Sequence, residues 1–178
     1  RFDELVASAA EPGLDVHGRL ARLDQALALW RGGAYEDLVG EEWVRAEAAR
    51  LDELRLTAIE RRYDTMLAAG MHTDALPGLT GEVDANPLRD RLVGLQMLAL
   101  YRSGRQAEAT RVSEQHRRRL ADELGLDPGA ELHELDSRIV AGDPSLHLTS
   151  TAGTPLRSYR LGEQLGEGAF AVVYRGTQ

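Results

Sequence analysis

The landmarks Leu67-Ala68-Ala69-Gly70, Asp74-Ala75 and Asn86-Pro87 are followed by Tyr101-Arg102-Ser103-Gly104 and Glu108-Ala109. Gly70 and Gly104 stand 34 positions apart, and so do Ala75 and Ala109. A helix-turn-helix unit recurring at that period is the signature of a tetratricopeptide-type array. The residue types suit their places. Glycine lets the chain turn left-handed after the first helix of each unit. The small alanine five residues on lets the second helix approach closely, and Pro87 at the end of a unit suits the first turn of the next helix. An ordinary bundle with coincident glycines is the alternative, and the agreement of several landmarks argues against it. Two copies are fewer than a solenoid needs, so a further unit is expected upstream.

Apolar periodicity extends the array in both directions. Phe2, Leu5, Val6 and Ala9 form an i, i+3, i+4, i+7 stripe, a short helix over 2–10 that Glu11-Pro12-Gly13 ends. A second helix is expected from Val16 to Arg31, with Leu20, Leu23, Ala26, Leu27 and Trp30 inward and Gly32-Gly33 as its stop. These two make a degenerate first unit, and 34–40 is a loop crossing back over the array. A long helix follows from Glu41 to Ala69, its buried side carrying Trp43, Leu51, Leu54, Ala58, Ile59, Tyr63, Met66 and Leu67. Its other side alternates charge in the pairs Glu41/Arg45, Glu47/Arg50 and Asp52/Arg55, which mark a solvated face. Further helices are expected over Thr73–Ala85 (with Pro77 in its first turn or kinking it), Leu88–Ser103, Arg105–Leu124 and Ala130–Ala141. The last would cover the end of the array with Leu132, Leu135 and Ile139. The expected fold class is all-α, a tetratricopeptide-like array of about seven helices with a short C-terminal β-hairpin.

Composition agrees. With 178 residues there is room for one good core and a fragment of another domain. Aromatics are 5%, and leucine and alanine dominate, which favours helices. Cysteine is absent, which removes disulfides and thiolate chemistry, and a reducing compartment is compatible. No apolar run is long enough to span a bilayer and no signal peptide opens the chain, so no membrane role and a cytoplasmic location are expected. The formal net charge of −8 repels phosphate backbones, so the segment is not expected to bind nucleic acid by itself. All 21 basic residues are arginine. The missing lysine excludes a phosphate-loop lysine, a Schiff-base lysine and the strand lysine of a kinase within this chain. The Arg1 start suggests a fragment.

The helical domain is expected over 1–142 and a flexible linker over 143–157, where Ser145, Thr149, Ser150, Thr151, Gly153, Thr154 and Pro155 cannot build a core. A phosphorylation target among these hydroxyls is the sharper alternative. Residues 158–178 read as β: Tyr159-Arg160-Leu161 lead through Leu165 to a glycine-rich turn and Ala171-Val172-Val173-Tyr174. An isolated hairpin is marginal in water, so this is the expected start of a further domain. The run from Gly166 to Tyr174 resembles the nucleotide loop that opens protein-kinase domains. By that resemblance Gly166 and Gly168 would line ATP phosphates, with Leu165 and Val173 on the base. Ala171 replaces the third glycine of the pattern, and an unrelated hairpin is the alternative. No catalysis is expected of the chain itself, and it carries no catalytic or metal-ligand pattern. ATP and magnesium are cofactors only of a longer parent.

Other chemistry is sparse. His17, His72, His116, His133 and His147 have no metal-ligand spacing and read as surface or half-buried helix residues. Arg117-Arg118-Arg119 fan around a helix and read as a solvated surface rather than a nucleic-acid clamp. Trp30 and Trp43 read as core anchors, a partner-binding surface being the alternative.

Several ordered blocks resemble the transcriptional activation domain of the bacterial SARP-type regulators. They are 26–32, Asp37-Leu38, Trp43, 47–55, Pro87–Leu92, Met97–Ala109 and Glu123–Gly129. The similarity spans about 2–141. It implies an all-helical tetratricopeptide-like array that follows an N-terminal winged-helix DNA-binding domain and helps recruit RNA polymerase. DNA contact would then come only through a winged helix preceding Arg1. In such an array the first helix of each unit lines a concave face. Glu60, Arg61, Asp64, Arg91, Leu95, Leu98 and Arg102 are therefore the candidate groove, expected to contact RNA polymerase or another domain of the same chain. Two alternatives stand beside this one: a sensor regulating a downstream ATP-dependent Ser/Thr kinase, and a plain scaffold with no link to transcription.

Overall fold

The computed structural model describes residues 1–32, 42–147, 160–168 and 171–177, with the two strands and the first two positions of the third helix known by backbone alone. Among the described residues there are seven α-helices: α1 (Phe2–Ser8), α2 (Val16–Leu27), α3 (Glu42–Ala68), α4 (His72–Ala85), α5 (Asp90–Arg102), α6 (Gln106–Leu124) and α7 (Ala130–Val140). A 3-10 turn, Pro144–Leu146, follows α7, and β1 (Arg160–Gly168) and β2 (Ala171–Thr177) end the chain. Residues Arg1–Leu146 form one compact unit and His147–Gln178 a second. The helical unit is all-α, as expected.

Local chemistry sets the helix ends. Asp15 caps α2, its carboxylate accepting the Gly18 N–H at 2.7 Å. α2 stops at Leu27, four residues short of the expected Arg31, and tight turn bonds from Leu29 to Ala26 and from Trp30 to Leu27 take over. The three helices α3, α5 and α7 share one ending. Gly70, Gly104 and Gly142 adopt φ of 79°, 74° and 66°. After each, the next N–H bonds back five residues: Met71 to Met66, Arg105 to Leu100 and Asp143 to Arg138. This is the Schellman closure, and it needs a residue without a Cβ penalty at the left-handed position. The 34-residue register thus continues, loosely, into a third unit begun by α7.

α4 runs unbroken through Pro77, which sits in its second turn rather than its first. Leu76 and Leu79 on either side are buried, and tertiary packing outweighs the one backbone donor that proline lacks.

The main core gathers Leu67, Leu79, Leu92, Val93, Met97 and Ile139 from α3, α4, α5 and α7, all essentially inaccessible. Truncating any of these leucines to alanine would cost about 2–5 kcal/mol. A smaller cluster of Val6, Ala9, Leu23, Ala26 and Ala58 joins α1 and α2 to α3. Trp30 sits beside it, half-buried, edge-on to Phe2 with ring centres 5.7 Å apart and with the Arg55 guanidinium over its face at 5.6 Å. That stacking replaces the expected Asp52/Arg55 pairing as the described contact of Arg55. Of the exposed pairs, Glu47–Arg50 is formed at 2.7 Å. Trp43, the crossing loop over 34–40 and the pair partner Glu41 lie outside the described side chains.

Of the expected linker over 143–157, the first four residues are part of the helical unit. Asp143 through Leu146 belong to the helical unit: Leu146 is buried, and Tyr101 donates to the Asp143 carbonyl at 3.2 Å. Residues 148–159 lie outside the described residues. In the second unit β1 and β2 pair antiparallel, with Gly166 opposite Val173 and Gly168 opposite Ala171, and the register is irregular between Leu161 and Gly166. The tip, 169–170, is outside the described residues.

Candidate functional site

Contacts along their lengths show α3, α5 and α7 running side by side in the same direction. Arg89 meets Glu60, Arg91 meets Asp64, and Arg102 reaches the Leu67 carbonyl, so positions rise together on α5 and α3. Asp90 accepts from Gly129 and Arg102 donates to Leu146, so they rise together on α5 and α7 as well. Gly94 lets α5 and α7 close up: a Cβ there would meet Leu132 and Leu135 methyls at 3.4 and 3.5 Å. These three first-of-unit helices enclose a groove of about 490 Å³. Its floor and walls are leucine, from Leu95, Leu98, Leu132, Leu135 and Leu146, and its rim carries Asp64, Asp90, Arg91, Glu131 and Arg138. An apolar trough with a charged rim is suited to hold a segment of another protein by its apolar face.

Four residues named from sequence, Asp64, Arg91, Leu95 and Leu98, line this groove. Asp64 and Arg91 make an exposed pair at 3.2 Å, so both heads remain open to exchange partners. The other three are placed differently. Glu60 is turned into a network, accepting from Arg89 at 2.7 Å, while Arg89 also reaches Glu53 at 2.8 Å. The Glu60 bond above all raises the Arg89 guanidinium above the usual arginine value. Arg61 lines a separate depression with Val6, Arg19 and Leu23, between α1, α2 and α3. Arg102 is a strut: its Nε donates to the Leu146 carbonyl at 2.7 Å and its Nη1 to the Leu67 carbonyl at 3.0 Å. Burial pulls its basicity down, against the opposing charge of Asp64.

Sequence reading saw Leu132 and Leu135 as a lid on the end of the array and missed that they form a groove wall. The repeating closure at Gly142 carried that signal. It also placed all five histidines at the surface or half-buried. His116 is instead buried, 4% exposed, between Asp90 and the Pro87 carbonyl. Among the described residues no group of His, Cys, Asp or Glu is arranged to hold a metal ion. The arginine run is locally neutralised: Arg117 and Arg118 both pair with Glu114, and Arg119 stands 3.7 Å from Glu123. Among the described residues no helix is long and apolar enough to cross a membrane. For Leu165, Gly166, Gly168 and Val173 the structure gives strand positions only.

Residues 1–140 match the family described as bacterial transcriptional activator domain. The chain is 46% identical over 151 residues to the regulatory protein AfsR of Streptomyces coelicolor, covering 83% of this chain and 15% of that protein. It is 39% identical over 126 residues to the regulatory protein DnrI of Streptomyces peucetius, covering 71% of this chain and 46% of that one. Among solved structures it resembles Mycobacterium tuberculosis EmbR in complex with a low affinity phosphopeptide, with a TM-score of 0.72 and 29% identity over 80% of this chain and 37% of that one. The chain thus spans less than half the length of these relatives. With its helical array and ordered blocks, this chain belongs to the bacterial transcriptional activator domain family of SARP-type regulators.

Proposed function

We propose that this regulatory segment works as a docking platform, and that the groove between α3, α5 and α7 is its binding face for RNA polymerase or for another domain of the same polypeptide. The observation that carries this reading is the groove itself: a leucine trough with the exchangeable Asp64–Arg91 pair on its rim. Apolar anchoring gives affinity there, and the rim charges set orientation. DNA contact in this reading belongs to a winged-helix domain preceding Arg1, and the site of action is the cytoplasm. The chain contributes no catalytic step. The test is Arg91→Glu combined with Leu98→Glu in the longer protein, read by transcription from a target promoter. Loss of roughly tenfold or more with the melting temperature held is expected, as for residues central to an interface. Unchanged activation would sink the reading.

A second reading rests on the hairpin, whose pairing brings Gly166 and Gly168 of one strand against Val173 and Ala171 of the other. In it the hairpin opens a kinase-like domain that uses ATP and magnesium in a longer parent, with the array as its sensor. ATP should leave the melting curve of this chain unmoved, because the strand lysine and metal-binding residues are not in it. Tight ATP binding by the chain alone would overturn that division of labour.

A further inference from the structure

Asp64 of α3 stands on the rim of the leucine groove and also lines the depression of about 180 Å³ between α1, α2 and α3. The two hollows therefore share a wall residue. Val6, Ala9 and Leu23, all buried, give the depression an apolar base, and the exposed Arg19 and Arg61 stand beside it. Among the described residues neither of these guanidiniums has a carboxylate partner. Other arginines of the array do: Arg62 is held by Asp24, Arg89 by Glu53 and Glu60, and Arg91 by Asp64. Asp64 thus makes its ion pair with the groove rim, and Asp15, one turn before Arg19, accepts the Gly18 N–H. In a chain of net charge −8, two arginines left without an acid beside an apolar hollow are complementary to an anion from elsewhere.

The donors indicate which anion. Thr65, the other polar residue of the lining, donates its hydroxyl proton to the Arg61 carbonyl at 2.7 Å, which leaves the guanidiniums as the side-chain donors. A guanidinium presents parallel N–H groups that match a carboxylate, and the methylenes of an acidic side chain suit the apolar base. A phosphate, with close to twice the charge, would be repelled more strongly by the Asp64 carboxylate.

We propose that this depression receives the carboxylate of an aspartate or glutamate carried by the same partner segment whose apolar side chains fill the leucine groove. The inference rests on the docking reading of the groove and names the partner's chemistry: an apolar stretch with an acidic residue at the end that reaches α1. Neighbouring helices pack about 8–10 Å apart, so the path from α5 across α3 to the depression is roughly 12–15 Å. About four residues of extended chain cover it. The leucines supply affinity, and the arginine pair fixes which way the segment lies.

The test is a phage library of random peptides about 12 residues long, enough to span both hollows, panned against the full chain. Enriched sequences should carry Asp or Glu about four residues from an apolar cluster. In fluorescence anisotropy such a peptide should bind the Arg19→Gln/Arg61→Gln variant about tenfold more weakly than the unaltered chain, with the melting temperature held. Its counterpart with the acid replaced by the amide should bind both chains alike, and phosphoserine in place of the acid should bind more weakly than the acid. Enrichment of apolar peptides with no acidic position, or affinity for the acidic peptide unchanged in the variant, overturns this inference and leaves the groove reading standing. Tighter binding of the phosphoserine peptide also overturns it, in favour of a phosphate site. If no apolar peptide is enriched, the groove reading falls and the inference with it. Where the variant does not fold, the preference of the unaltered chain for the acid over the amide decides.

Discussion

Two glycines three residues apart in α4 should respond in opposite ways to alanine. A Cβ at Gly78 would drive into the hydroxyl end of Tyr63, whose ring is buried and rigid, whereas nothing lies within 4 Å of a Cβ at Gly81. Gly78→Ala should cost about 1–3 kcal/mol as an overpacking change. Gly81→Ala should stabilise by about 0.5–1 kcal/mol through helix propensity. Urea unfolding of both variants checks the pair. Asp143 supplies a pH signature. Bonds from the Ser145 hydroxyl, from Arg138 and from the Ser145 amide lower its carboxyl from 3.8 to about 2. A depressed acid stabilises the folded state above its ordinary value, and that contribution fades as pH falls through about 2. Carbon-detected NMR should place the Asp143 midpoint near that value, and Ser145→Ala should move it up. The Tyr63–Gly78 contact was not legible in the residues, because it depends on which side chains the fold sets together; the Asp143 bonds are local, reaching only Arg138 and Ser145.

The repeating element is a first-of-unit helix closed by a left-handed glycine, and this much the sequence displays. Gly70 and Gly104 carry the register openly because Ala75 and Ala109 repeat beside them. Gly142 does not, since His147 rather than an alanine stands five residues beyond it, and α7 therefore read as a cap. At this scale Arg102 separates structure from function. Its guanidinium ties the end of α5 to the last turn of α3 and to the turn at Pro144–Leu146. Arg102→Met keeps the stem and strands two carbonyls, and should cost roughly 2 kcal/mol in thermal or urea unfolding. Arg102→Lys should recover part of that. A charge reversal at Arg102 therefore perturbs the fold together with the groove. Arg91, exposed and paired with Asp64 at 3.2 Å, is the position where reversal should change docking and leave stability within about 0.5 kcal/mol.

Over the whole molecule, charge restricts what the chain can touch. A net charge of −8, with the basic run on α6 paired to Glu114 and Glu123, works against neutralising phosphates. The isolated chain should show no retention of duplex DNA in a mobility assay, even at low salt where backbone attraction is strongest. A shifted band would show that an arginine surface frees itself from Glu114 and Glu123. The sequence by itself determined the helices of the described residues, their order and the unit period, since apolar spacing, capping residues and glycine turns act over a few neighbouring residues, while the family showed in the resemblance of its ordered blocks. Only the tertiary structure decided which charges are free. Arg89, Arg91 and Arg102 stand at the N-cap, in the first turn and at the end of α5, and they become a network hub, an exchangeable rim charge and a half-buried strut. Likewise His116 became part of a closed corner and Leu132 with Leu135 became a groove wall, because partners 26 to 44 positions away settle a side chain's role and no local pattern encodes them.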